Sequence, residues 1–242
     1  MLVGTLLMAA AATSLLVSGS HVTELSVAEE QPIRTLVGNV RENPDIADLA
    51  SSSGSLQFNF RFSSGPYELF SIDNRSGDIR TSRRVDREQL CPSDHSTSSS
   101  TSCSLELDVT VLPLQFYRIL KVVVDVVDIN DNVPSFPEPR ISLEIKESSP
   151  TGTRVPIPAA EDPDVGDFGI QRYELAESSD VFRLAASDTS EGGRDVWLTL
   201  RRRLDREQQR SYSLTVTAYD GGTPPKSGSV NIQVFLKIIV TS

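Results

Sequence analysis

Hydrophobic and polar residues alternate along much of this chain. Leu56-Gln57-Phe58-Asn59-Phe60-Arg61-Phe62 places every second side chain on one apolar face. Leu105-Glu106-Leu107-Asp108-Val109-Thr110-Val111 and Tyr212-Ser213-Leu214-Thr215-Val216-Thr217-Ala218 repeat the pattern. Ile119 to Val127 is more continuously apolar and reads as a well-covered strand. Turn chemistry separates the runs, at Ser76-Gly77-Asp78 and at Gly221-Gly222-Thr223-Pro224-Pro225. Outside the N-terminal segment no long 3.6-residue apolar period occurs. Many short strands between regular turns predict an all-β chain of sandwich type.

Two terminal runs differ. Met1 to Val17 is almost wholly small or apolar, and Ser18-Gly19-Ser20 offers small residues for cleavage. Residues 1–20 therefore read as a secretory signal peptide, although no Lys or Arg precedes the apolar run. The C-terminal run Val234-Phe235-Leu236-Lys237-Ile238-Ile239-Val240 is shorter than the ~20 apolar residues of a membrane span and contains Lys237. The expectation is a secreted chain without a membrane span.

The two halves repeat. Glu29-Glu30-Gln31-Pro32 is answered 118 positions later by Glu147-Ser148-Ser149-Pro150, and Asp86-Arg87-Glu88 119 positions later by Asp205-Arg206-Glu207. That period suits one sandwich per copy. The boundary falls in Asp128-Ile129-Asn130-Asp131-Asn132-Val133-Pro134, where Pro134 and Pro137 favour an extended connection. Domains are expected at 21–130 and 131–242, the second cut short at its C-terminus.

Charge narrows the chemistry. The chain holds 33 Asp and Glu against 23 Lys and Arg, a net charge of −10. This excludes the basic footprint of nucleic-acid binding. The acids gather around the boundary, where Asp162-Pro163-Asp164 also follows. Such a set offers hard oxygens with neither His nor Cys among them, the donor type that suits calcium. The only histidines, His21 and His95, lie near the cleavage point and in a Ser-rich loop. No nucleophile motif, zinc spacing or phosphate loop stands out, so an enzyme is not expected. Cys91 and Cys103 flank a polar stretch rich in Ser and Thr. They either close a short loop in an oxidising compartment or remain free thiols. Asn74-Arg75-Ser76 is an N-glycosylation acceptor triplet in a predicted turn.

Together the initial Glu29, Asp86-Arg87-Glu88, Asp128-Ile129-Asn130-Asp131-Asn132, Asp162-Pro163-Asp164 and Ala218-Tyr219-Asp220-Gly221-Gly222 resemble the cadherin superfamily. The Cys pair just after Asp-Arg-Glu-Gln resembles protocadherins. The resemblance implies two tandem seven-strand Greek-key sandwiches, immunoglobulin-like in architecture, with calcium ions at the joint. It assigns side-chain ligands to Glu29, Asp86, Glu88, Asn130, Asp131, Asp162, Asp164 and Asp220. It assigns backbone carbonyls to Ile129, Asn132 and Phe168, the last standing where family members often have Asn. Glu147, Asp205 and Glu207 match the half-site that would face a third repeat and are expected to bind calcium weakly or not at all.

The implied function is calcium-dependent adhesion or recognition, with cadherin-family ectodomains as partners and homophilic pairing in a full-length relative at the plasma membrane. The alternatives are a soluble decoy competing with such a relative, or an incomplete fragment without adhesion of its own. The only tryptophan, Trp197, lies in the second repeat and reads as a packing residue, which argues against exchange of an N-terminal Trp strand.

Overall fold

The structure is a computed structural model that describes residues 14–17, 20–52, 57–92, 102–189 and 193–237. Two compact units divide between Asp128 and Ile129.

The first unit contains strands β1 (Ser14–Val17), β2 (Ser20–Ala28), β3 (Leu36–Asn39), β4 (Asn59–Ser64), β5 (Phe70–Ile72), β6 (Asp78–Thr81), β7 (Ser104–Leu112) and β8 (Arg118–Val127). Its larger sheet has the order β1-β2-β8-β7-β4, its smaller sheet β3-β6-β5. The second unit contains β9 (Arg140–Lys146), β10 (Arg154–Ile157), β11 (Ile170–Leu175), β12 (Phe182–Asp188), β13 (Arg194–Leu200), β14 (Ser211–Asp220) and β15 (Ser227–Lys237). Its sheets run β11-β14-β15-β9 and β10-β13-β12. With β1 set aside, both units hold seven strands in the same spatial order. In each, the first strand pairs in parallel with the last, β2 with β8 and β9 with β15. The chain is therefore an all-β tandem of sandwiches.

The alternating runs fold as their pattern dictates. Phe58 and Phe60, with Leu107, Val109 and Val111 of β7, turn inward into one core. Leu214 and Val216 of β14 do so in the other, with Val230, Ile232 and Val234 of β15. The strand at Ile119–Val127 departs from its expectation. Leu120, Val122, Val124 and Val126 are buried, but Ile119 and Val127 are exposed beside Lys121 and Asp125. β8 has strand neighbours on both edges, yet a second sheet covers only one of its faces.

Two short helices were not anticipated. α1 (Pro44–Ser52) packs Ile46 into the first core. α2 (Arg87–Leu90) follows Asp86, whose side chain caps its N-terminus. The boundary segment is anchored to the second unit. Ser135 and Glu161 exchange two backbone hydrogen bonds of 2.8 Å, and buried Pro134 lies against Gly228, where an added Cβ would stand 1.8 Å from the Pro134 carbonyl oxygen.

Candidate metal-binding half-sites

In the first unit, the turn after β2 and the start of α2 bring acids together. Glu29 is fully buried, and its carboxylate accepts the Arg87 backbone N–H at 2.7 Å. The Glu29 N–H donates to the Val127 carbonyl at 3.0 Å, which fixes this turn to the end of β8. Asp86 accepts from the Gln89 backbone at 2.9 Å and from the Gln89 side chain at 2.6 Å. Glu88 differs. Its buried Oε1 receives no hydrogen bond, and the nearest cation is Arg87 Nη1 at 3.6 Å. Burial, with repulsion from Glu29 and Asp128, pushes the Glu88 carboxyl up to about 7. Asp128 thus bears on this cluster, although the sequence reading used it only to mark the boundary. Its place at the head of the acidic run was the available signal.

In the second unit, Asn130, Asp131 and Asn132 meet Asp162, Asp164 and Asp220. The Asn130 amide nitrogen donates to Asp220 Oδ2 at 2.7 Å, which leaves Asn130 Oδ1 buried without a donor. Asp220, fully buried, also accepts the backbone N–H groups of Gly222 at 3.0 Å and Lys226 at 2.7 Å. The Asn132 side chain bridges Asp131 at 2.9 Å and Asp164 at 2.7 Å. Asp162 accepts weakly from the Asp164 backbone at 3.3 Å, while its Oδ2 is buried with no hydrogen bond. Burial, with the charges of Asp164 and Asp220, raises the Asp162 carboxyl to about 6. The Ile129 carbonyl accepts the Asp131 N–H at 2.8 Å. Phe168 ends a 3₁₀ turn, Gly166–Phe168, between Asp164 and β11.

The residues fit a hard cation. Glu88 Oε1, Asn130 Oδ1 and Asp162 Oδ2 are buried acceptors that no protein donor satisfies. Such groups are costly unless a cation or water completes them. All three are oxygen ligands of the kind calcium takes, and no soft donor stands among them.

Gly222 is required here. An added Cβ would fall 1.9 Å from the Asn130 amide nitrogen. This role inside the Ala-Tyr-Asp-Gly-Gly motif was not legible from the sequence.

The repeated acids form the same scaffold in a more open setting. Glu147 accepts the Arg206 N–H at 3.0 Å, and Asp205 accepts from the backbones of Glu207 and Gln208 at 2.9 and 3.1 Å. Glu207 is exposed, however, where its counterpart Glu88 is half-buried.

Three further expectations find their places. Cys91 and Cys103 are joined, with an S–S distance of 2.04 Å, which removes the free-thiol alternative. Asn74 is exposed in the β5–β6 turn. Trp197 is half-buried on β13, outside the core cluster, with the Arg154 guanidinium 4.8 Å from its ring centroid. His95 lies outside the described residues.

Comparison with known proteins agrees with the geometry. A cadherin domain family matches residues 141–237, and the family described as FAT4-like, N-terminal cadherin-like domain matches residues 20–128. The chain belongs to the cadherin superfamily and holds two cadherin-type repeats. Within that superfamily it is protocadherin-like. It is 34% identical to Protocadherin-11 X-linked of Homo sapiens, covering 90% of this chain and 16% of that protein. It is 36% identical to Protocadherin-20 of Mus musculus, covering 90% of this chain and 26% of that protein. The chain therefore spans a small part of the length of these relatives. Among solved structures, protocadherin gamma C5 EC1-3 is 36% identical with a TM-score of 0.75, covering 88% of this chain and 65% of that one. The protocadherin gammaB4 extracellular domain is 33% identical with a TM-score of 0.75, covering 88% and 32%. Among the described residues no helix is long and apolar enough to cross a membrane.

Proposed function

We propose that this chain is a calcium-dependent recognition module, secreted through residues 1–20 and acting with cadherin-family ectodomains. The carrying observation is that Glu88 Oε1 in the first unit, and Asn130 Oδ1 and Asp162 Oδ2 in the second, are buried without a hydrogen-bond donor. Glu29, Asp86 and Glu88 would serve from the first unit. Asn130, Asp131, Asp162, Asp164 and Asp220 would serve from the second, with the carbonyls of Ile129, Asn132 and Phe168. Calcium would supply positive charge to the carboxylates gathered within each unit, Glu29, Asp86 and Glu88 in the first and Asp131, Asp162, Asp164 and Asp220 in the second, seven in all. Three such ions, the family's usual number, offset six of those seven charges. Homophilic pairing belongs to this reading through the protocadherin likeness, and Asn74, exposed in its turn, is the proposed glycosylation site.

Calorimetric titration of the secreted chain with calcium tests the reading, with Asp131→Ala and Asp162→Asn alongside. Removing one carboxylate should weaken binding at least about tenfold, roughly 1.4 kcal/mol. Absence of heat at millimolar calcium, or equal affinity in both variants, would remove the calcium reading.

A further inference from the structure

His21, at the start of β2, is held more firmly than a strand end requires. Its backbone N–H donates to Asp45 Oδ2 at 3.2 Å, and its ring Nδ1 lies 2.8 Å from Asp45 Oδ1. Its carbonyl accepts from the Asn43 amide at 3.0 Å. Asn43, itself buried, also donates to Thr23 Oγ1 at 2.8 Å and accepts the Asp45 N–H at 2.9 Å. Asn43 and Asp45 are thereby locked to each other at the N-terminus of α1 and aimed at one residue of β2. The Asp45 side chain is only 15% exposed, so solvent screens the contact weakly.

The strand register shows what this is for. β8 pairs with β2 only from Thr23 onward. His21 and Val22 have β1 as their strand partner, through Leu16 and Leu15. β1 lies wholly inside residues 1–20, the segment read as a signal peptide. Once β1 leaves, His21 and Val22 lose that ladder, and an untied strand end frays.

We propose that Asn43 and Asp45 form a seat for the processed N-terminus of this chain. The inference rests on the secretory reading of residues 1–20. A signal protease hydrolyses the Ser20–His21 amide. Water supplies hydroxyl to the Ser20 carbonyl carbon and hydrogen to the His21 nitrogen. That nitrogen, an α-amine with a pKa of about 8, takes a further proton near neutral pH. The new ammonium stands where the amide stood, within ion-pair distance of Asp45. Cleavage thus exchanges the β1 ladder for a charge pair, and the mature end of β2 stays docked on α1.

Two measurements test it. Mass analysis of the secreted chain should show His21 as the first residue; any other start overturns the seat and corrects the processing reading as well. A double-mutant cycle then tests the contact itself. The chain starting at His21 is compared with one carrying Gly-Ser ahead of His21, each with and without Asp45→Asn, all in saturating calcium. The native start should melt about 4 °C above the extended one. That difference should vanish in the Asp45→Asn pair. No difference between the starts, or an equal difference in both backgrounds, would overturn the seat while leaving the secretory reading intact.

Discussion

Glu29 and Arg87, 58 residues apart in sequence, are joined by one short hydrogen bond from backbone N–H to buried carboxylate. The same bond recurs between Glu147 and Arg206. It ties the turn after β2 to the segment before β7 in the first unit, and the turn after β9 to the segment before β14 in the second. The acid is therefore part of the frame as well as a candidate ligand. Removing its charge would disturb the frame and the calcium site together, so tests of binding are cleaner at Asp162 or Asp131.

Gly222 gives a test that changes no charge. Gly222→Ala drives a methyl group into the Asn130 amide and breaks its bond to Asp220. Calcium affinity is expected to fall on the order of tenfold, about 1.4 kcal/mol, while the sandwich still folds. Unchanged calorimetry would show that Asn130 orientation has no part in binding.

A second test compares the repeats directly. Thr35 donates its hydroxyl to the Pro32 carbonyl at 2.7 Å, and Thr153 does the same to Pro150 at 2.7 Å. Between them stand Arg34 at φ 70° and Gly152 at φ 89°. A non-glycine residue in this region costs roughly 1–2 kcal/mol, against roughly 0.5–1 for the extra unfolded-state freedom of glycine. Arg34→Gly should therefore stabilise the first unit by about 0.5 kcal/mol or more. By the same balance Gly152→Ala should destabilise the second by about 0.5 kcal/mol or more through the backbone alone, since nothing lies within 4 Å of the added Cβ. Denaturant midpoints that moved the opposite way would refute the strain argument.

Asp45 makes stability depend on pH. Burial works against its charge, but the hydrogen bonds from His21, with the charges of His21 and Arg118, outweigh that and hold its carboxyl below the usual 3.8. A depressed acid contributes fully above its unfolded value, and the contribution is lost as pH falls through the folded value. Below about pH 4, the wild type should lose stability more steeply than Asp45→Asn. Parallel acid-melting curves for the two proteins would count against this.

The Cys91–Cys103 bridge spans 12 residues and packs Cys103 against Val85 and Val126. Replacing both cysteines by serine should cost the first unit about 2–3 kcal/mol and leave the second unchanged. Calorimetric melting that lowered both transitions equally would contradict the assignment to one unit.

The strands were legible because alternation maps directly onto one buried face, as at Phe58 and Phe60 or Leu214 and Val216. β8 misled because its apolar residues are not sorted by position. Ile119 and Val127 look like core in sequence and are not, since only the fold decides which faces are covered. α1 escaped because nine residues are too few for a clear period. Asn43, Pro44 and Asp45 were nevertheless a readable start signal, a capping residue followed by proline and an acid in the first turn. The candidate ligands were legible as a set. Which of their oxygens are already satisfied was not, because that depends on neighbours such as Gln89 and Gly222.

The clamp between Asn130 and Asp220 also bears on thermodynamics. An isolated carboxamide can present either oxygen or nitrogen, and choosing one costs rotational freedom. Here folding has made the choice before any ion arrives. On the proposed calcium reading, the second unit offers the ion a preorganised acceptor, and little of the binding free energy would be spent on ordering it. Truncating Asp220 would return that disorder to Asn130, so one candidate ligand would also act by holding a second one in place.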